Sequence, residues 1–171
     1  DGSDWEACMT FNGISWGYVD EKQVAPYSYS GNQIVRMLQR CSAAGGNLLL
    51  NIGPKADGSV SEEVVEPMKK VGKWLLENGE AAYGCKKKFS GWECGANHVS
   101  NCTVSPDAKT IYVWNYIWPH TGEMVFGGYR KAPRRISFLA TGKTIDFEME
   151  GHRIVLKNLP ENPPDRHMGI T

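Results

Sequence analysis

Apolar positions along the chain keep two different rhythms. "WEACMTF", residues 5 to 11, reads as a short strand, and residues 12 to 29 form a loop rich in Gly, Asn and Tyr. Ser30 then stands three residues before Gln33, the spacing of a capping box. Ile34, Met37, Leu38 and Cys41 recur at helical period and predict a helix. Gly45-Gly46 stops it, because Gly tolerates the left-handed position after a helix. "NLLLNIGP", residues 47 to 54, is apolar without alternation, the pattern of a parallel strand buried on both faces. Pro54 and Asp57-Gly58 then mark a turn. Ser59 or Ser61 caps a second helix, whose positive end suits Glu62 and Glu63. Val64, Met68, Val71 and Leu75 form its apolar stripe, and Asn78-Gly79 ends it. Pro67 is expected to bend this helix or shift its start.

After Gly84 the texture changes. "KTIYVWNYIW", "GEMVFGGY", "RRISFLATG", "KTIDFEME" and "HRIVLKNL" are short β-rich runs separated by Gly, Pro, Asp and Asn. That pattern predicts antiparallel strands in a sandwich or small sheet. The fold class is therefore α/β followed by all-β, with the change at about residues 84 to 90. Two strands are too few to complete a parallel sheet. Neither an internal repeat nor a low-complexity segment is evident.

Composition narrows the partners. Net charge is zero, and the cationic runs Lys86-Lys87-Lys88 and Arg134-Arg135 read as solvated turns. No nucleic-acid or membrane partner is expected, and no apolar run approaches the roughly 18 to 20 residues that span a bilayer. The start, "DGSDWEACM", is polar and lacks an initiator Met, which suggests a processed chain or one cut from something longer. Among Cys8, Cys41, Cys85, Cys94 and Cys102 there is no C-x-x-C pair, which argues against a zinc ribbon. Cys94 is placed to pair with either Cys85 or Cys102. Asn101-Cys102-Thr103 is a formal glycosylation acceptor.

Candidate chemistry centres on Glu6, flanked by Trp5 and followed by Trp16 and Tyr18. Taken alone, Glu6 reads as a surface acid on an edge strand. Asn51 reads as satisfying loop backbone groups, and Glu80 as bracing a turn with Tyr83 packed under it. Asp20 and Glu21 read as solvated. His98, His120, His152 and His167 are widely spaced and read as exposed turn residues, so no metal is expected. Tyr112, Trp114, Tyr116 and Trp118 share one strand face, which either packs against the α/β part or stacks sugars.

Three blocks in order carry a further signal: "WEACMTFNGISWGY", "LLLNIGPKADGSV" and "VGKWLLENGEAAYG". Together they resemble the C-terminal part of α-L-fucosidases of glycoside hydrolase family 29. The tail "FLATGKTIDFEMEGHRIVLKNLP" looks like that family's β-sandwich. The resemblance covers nearly the whole chain. It implies the last strands and helices of a (β/α)8-like barrel in residues 1–86 and a C-terminal antiparallel β-sandwich in residues 87–171. It implies retaining hydrolysis of terminal α-linked L-fucose by two carboxylates, without metal or organic cofactor. Glu6 corresponds to the family's acid/base glutamate in the "WE" block. Trp16 corresponds to the aromatic that contacts the sugar near its methyl group, and Trp5 and Tyr18 join it as substrate-binding residues.

A general acid must hold its proton near neutral pH, whereas a free Glu has a pKa near 4.3. A setting formed by Trp5, Trp16 and Tyr18 would raise it. No "WND"-like nucleophile segment and no early histidine-rich sugar site occur in these residues. The implied partners are therefore a fucosylated glycan and the missing N-terminal barrel portion, in the same or another chain. The implied location is secreted, periplasmic or lysosomal. The rival reading is a non-catalytic carbohydrate-binding or accessory module that uses the aromatic stripe.

Overall fold

Ser30 opens the first helix as its spacing with Gln33 requires. Its hydroxyl accepts the Gln33 N–H at 3.3 Å, while the Gln33 side chain accepts the Ser30 N–H at 2.8 Å. These bonds satisfy amides that the first turn leaves unpaired. A computed structural model describes residues 4–20, 29–86 and 100–171. Glu21, Lys87, Lys88, Trp92, Cys94 and His98 lie outside the described residues, as does residue 87 at the expected domain boundary.

Strand β1 (Glu6–Thr10) pairs in parallel with β2 (Asn47–Asn51), and α1 (Gly31–Ala43) connects them. Gly45 takes a φ of 78° after α1, the left-handed turn expected there. Helix α2 (Glu62–Asn78) starts at Ser61, continues through Pro67, and carries Glu62 and Glu63 in its first turn. Pro67 thus does not shift the start.

The apolar face of this unit is built by alternation. Phe11 is buried, and Leu50 and Ile52 pack against the cluster formed by Ile34, Val35, Val71 and Trp74. Residues one step along each strand point the other way. Glu6, Cys8 and Thr10 therefore share an open face with their register partners Asn47, Leu49 and Asn51. Leu49 is 40% exposed among the described residues, on the face turned away from the first core. At its Thr10 and Asn51 end the following loop lies against that face.

The second half is antiparallel, in agreement with the pattern. Strand β3 (Ser100–Val104), which the sequence reading did not separate out, pairs with β4 (Ile111–Asn115). Strands β5 (Met124–Gly127), β6 (Asp146–Glu150) and β7 (Arg153–Lys157) form a sheet in the order β5-β7-β6. "RRISFLATG" forms only an isolated bridge, Ser137 to Thr144, rather than a full strand. Its Ile136 and Phe138 join a second core with Phe126, Ile145, Ile154 and Leu156.

Tyr112, Trp114 and Tyr116 of the aromatic stripe belong to the first core, while Trp118 packs against the second. Tyr112 and Trp114 are buried, and the Trp114 ring lies 5.0 Å from that of Trp74 on α2. Trp114 Nε1 donates to Thr103 Oγ1 at 3.0 Å. Arg36 sits 4.1 Å over the Tyr116 ring. Trp118 Nε1 donates to the Pro160 carbonyl at 2.8 Å. The stripe packs, and Tyr112 and Trp114 are closed to a sugar. The C-terminal segment closes the same core. Ile170 is buried and accepts Trp74 Nε1 at 2.9 Å, and Thr171 pairs by two backbone bonds with Asn115.

Candidate active site

Thr10 and Asn51 end the two parallel strands side by side, and the loop after Thr10 folds over them. Asn12 builds that loop from within, because its Oδ1 accepts the N–H groups of Ile14 and Ser15, both at 2.9 Å. The short polar side chain of Asn suits such a turn. Thr10 Oγ1 donates to the Ser15 carbonyl at 2.5 Å. Asn51 Nδ2 donates to the Trp16 carbonyl at 2.8 Å. Asn51 thus satisfies loop backbone, as its place in an apolar strand suggested.

Gly53 completes the clamp. A side chain there would put its Cβ 2.5 Å from the Gly17 carbonyl oxygen and 2.6 Å from the Tyr18 nitrogen, so only Gly lets the two segments touch. The result is a fixed platform that presents two rings to solvent, Trp16 at 57% and Tyr18 at 44% exposure. Lys55, in the turn after β2, holds its ammonium 5.9 Å from the Tyr18 ring, within reach of a cation–π attraction. Exposed rings beside a cation, at the C-terminal ends of parallel strands, suit the apolar faces and hydroxyls of a sugar.

Glu6 occupies the other end. It is the first residue of β1, exposed, and shares the open face with Thr10. Four residues of strand put about 13 Å between those positions. Trp16 and Tyr18 are fixed to the far end, so they do not form the aromatic screen expected around this carboxylate. Trp5 is also committed elsewhere. Its ring lies where a Cβ on Gly46 would stand, within 2.2 Å, and its Nε1 donates to the Ala44 carbonyl at 3.4 Å. Glu6 Oε1 instead accepts the Cys8 thiol at 3.4 Å. That hydrogen bond, before any effect of burial, pushes the Cys8 thiol up, away from the reactive thiolate.

Two expectations outside this site need correction. His167 is not in an exposed turn. Its side chain is only 18% exposed and Nε2 lies 3.2 Å from Glu77 Oε1. With buried Asp165 these three residues bring ligand-type atoms within 4.8 Å of one another. Arg166 Nη2 also sits 2.8 Å from the same Glu77 oxygen. Asp165 likewise accepts the N–H groups of His167, Met168 and Ile170. The second correction concerns Tyr83, which is 64% exposed rather than packed under Glu80. Glu80 accepts the Tyr112 hydroxyl at 2.5 Å. Burial first, and then this bond, push the Tyr112 phenol well up.

The cysteines are settled in part. Cys8, Cys41 and Cys85 are free thiols, which excludes a Cys85 bridge, and Cys102 is disulfide-bonded. No helix among the described residues is long and apolar enough to cross a membrane. Clamp residues Asn12 and Gly53 escaped the sequence reading. The only trace of them was the Asn-Gly breaker after β1 and the Gly-Pro breaker after β2.

Residues 1–80 match the family model described as alpha-L-fucosidase. The chain is 32% identical to the plasma alpha-L-fucosidase of Homo sapiens, over 92% of this chain and 34% of that protein. It is 31% identical to the tissue alpha-L-fucosidase of Mus musculus, over 94% of this chain and 35% of that protein. The solved alpha-fucosidase of Thermotoga maritima, in complex with a mechanism-based inhibitor, superposes with a TM-score of 0.78 at 24% identity, over 94% of this chain and 37% of that one. The chain thus spans about a third of the length of the curated relatives it matches. On these matches, the chain belongs to the α-L-fucosidase family.

Proposed function

We propose that these residues are the C-terminal portion of a retaining exo-α-L-fucosidase that removes terminal α-linked L-fucose from glycans. In this reading residues 1–86 complete a (β/α)8-like barrel and residues 87–171 form a β-sandwich. The other barrel strands and the aspartate nucleophile come from polypeptide outside these residues, in the same or another chain. A secreted, periplasmic or lysosomal location follows from the same reading, and relatives named for plasma and tissue accord with it.

The observation that carries the reading is the clamped loop. Asn51 and Gly53 hold Trp16 and Tyr18 at the C-terminal ends of two parallel strands, where barrel enzymes gather their sites. There the rings form one wall of the fucose pocket. The aspartate attacks the anomeric carbon as the glycosidic C–O bond breaks, and Glu6 gives its proton to the departing oxygen. Glu6 then takes a proton from the water that displaces the aspartate. What supports Glu6 in this role is its place in the "WE" block and on the open face shared with Thr10 and Asn51. Its distance from Trp16 along β1 is what makes the assignment worth testing first.

The test is Glu6→Gln in the full-length protein, assayed on two aryl α-L-fucosides. A general acid contributes about 10²- to 10⁴-fold, and it matters most for a poor leaving group. The variant is expected to lose that much on the unactivated fucoside and to form the fucosyl-enzyme normally from the activated one. If both substrates are cleaved at the wild-type rate, the acid is another residue.

A further inference from the structure

Between Glu123 and Asp146 the chain carries Arg130, Lys131, Arg134, Arg135 and Lys143 and no acidic residue, although the protein as a whole is neutral. All five are exposed, and none forms an ion pair among the described residues. They lie on the connection that leaves β5 and returns as β6. We infer that this connection is a binding surface for a sulfated polysaccharide, separate from the proposed fucose site.

Three observations support a built surface rather than a scatter of solvated charges. First, the connection is anchored from below, since Ile136, Phe138 and Ile145 belong to the second core. Backbone bonds tie its two arms together, Phe138 N–H to the Lys143 carbonyl and Ile145 N–H to the Ile136 carbonyl. Second, the Arg135 guanidinium donates to the Gly142 carbonyl at 2.8 Å, which draws it back beside Lys143. Third, the β6–β7 turn comes alongside, with Tyr129 N–H donating to the His152 carbonyl at 3.1 Å and Arg153 opposite Gly127 in register. Arg130 and Lys131 therefore follow directly on the residue that is tied to His152. Glu123 and Asp146 flank the segment in sequence, and Glu150 stands opposite Arg153 in register.

Exposed cations without acidic partners gain most from a polymer of repeated negative charge. Three of the five are Arg, whose planar fork matches the oxygens of a sulfate. Nucleic acid fits less well. Single-strand binders stack bases on exposed rings, and the nearby Tyr129 is partly buried in the second core. This inference does not depend on the hydrolytic reading, and the two are measured separately.

The experiment is calorimetric titration of the full-length protein with a heparin oligosaccharide, a neutral oligosaccharide and a DNA duplex of matched charge. Heparin is expected to bind with an affinity that falls as salt rises, and the neutral oligosaccharide is not expected to bind. Replacing Arg130, Lys131, Arg134 and Arg135 together by Ala should weaken heparin binding about tenfold or more, the product of four exposed charge contacts. Lys69→Ala with Lys109→Ala, which removes charge elsewhere, should leave it unchanged. Aryl α-L-fucoside hydrolysis should be equal in all three proteins. The inference is overturned if the fourfold variant binds like wild type, if the Lys69/Lys109 variant loses as much, or if the duplex binds more tightly than heparin.

Discussion

Gly53 rests directly against the peptide that joins Gly17 to Tyr18, with no room for even a methyl group between them. A Gly53→Ala variant must move one segment, and the exposed loop gives way before the strand end does. Overpacking of this kind costs about 1 to 3 kcal/mol. The variant is expected to melt a few degrees lower and to bind a fucose analogue at least tenfold more weakly, read by thermal denaturation and calorimetry. Unchanged affinity would mean that the loop does not border the sugar.

Asn51 tests the same platform by chemistry rather than bulk. It donates to the Trp16 carbonyl, and an Asp carboxylate cannot donate. Asn51→Asp would set its negative oxygens against that carbonyl, whereas Asn51→Ala only deletes the bond. Fucose-analogue affinity should therefore fall in the order Asn, Ala, Asp. Calorimetry on the three proteins checks it, and an Asp variant better than Ala contradicts the clamp.

Trp114 separates packing from sugar binding. It is 2% exposed, stacks on Trp74 and hydrogen-bonds Thr103. Trp114→Ala is expected to cost about 3 to 5 kcal/mol in chemical denaturation. Trp114→Phe keeps most of the packing, loses the donor and costs about 1 kcal/mol. Glycan affinity of the folded Phe variant should equal wild type.

How much of this was legible in the sequence depends on the range of the interaction. Ser30 with Gln33, Gly45 after α1, and Glu62 and Glu63 at the start of α2 act within one or two turns, and each stands where its spacing put it. Parallel pairing of β1 and β2 follows from the order of elements. Contacts between distant segments were not legible. Nothing near Gly53 in sequence signals Gly17, nor anything near Glu77 signals His167. Three consecutive Leu look alike in sequence, while alternation turns the middle one, Leu49, away from the first core. Glu6 and Trp16 lie close in sequence, and β1 itself carries them apart.

Glu77 gives the fold a sign-definite response to pH. A hydrogen bond from Arg166, and then the nearby His167 ring, hold its carboxyl below the usual carboxylate range. A folded-state pKa below the unfolded one means that the stabilisation is complete above the ordinary Glu value of about 4.3. It is lost as pH falls through that value toward the folded one. The stability gap between wild type and Glu77→Gln should therefore be constant from pH 7 to about 5.5 and shrink toward pH 3. Denaturation at four pH values checks it, and a gap that grows on acidification would contradict the assignment.

Proton NMR of the first fucose released from an aryl α-L-fucoside by the full-length protein tests the proposed activity most directly. The account predicts α-L-fucose as the first anomer, with the β-anomer appearing only as mutarotation proceeds. Release of the β-anomer first, or no release at all, would contradict it.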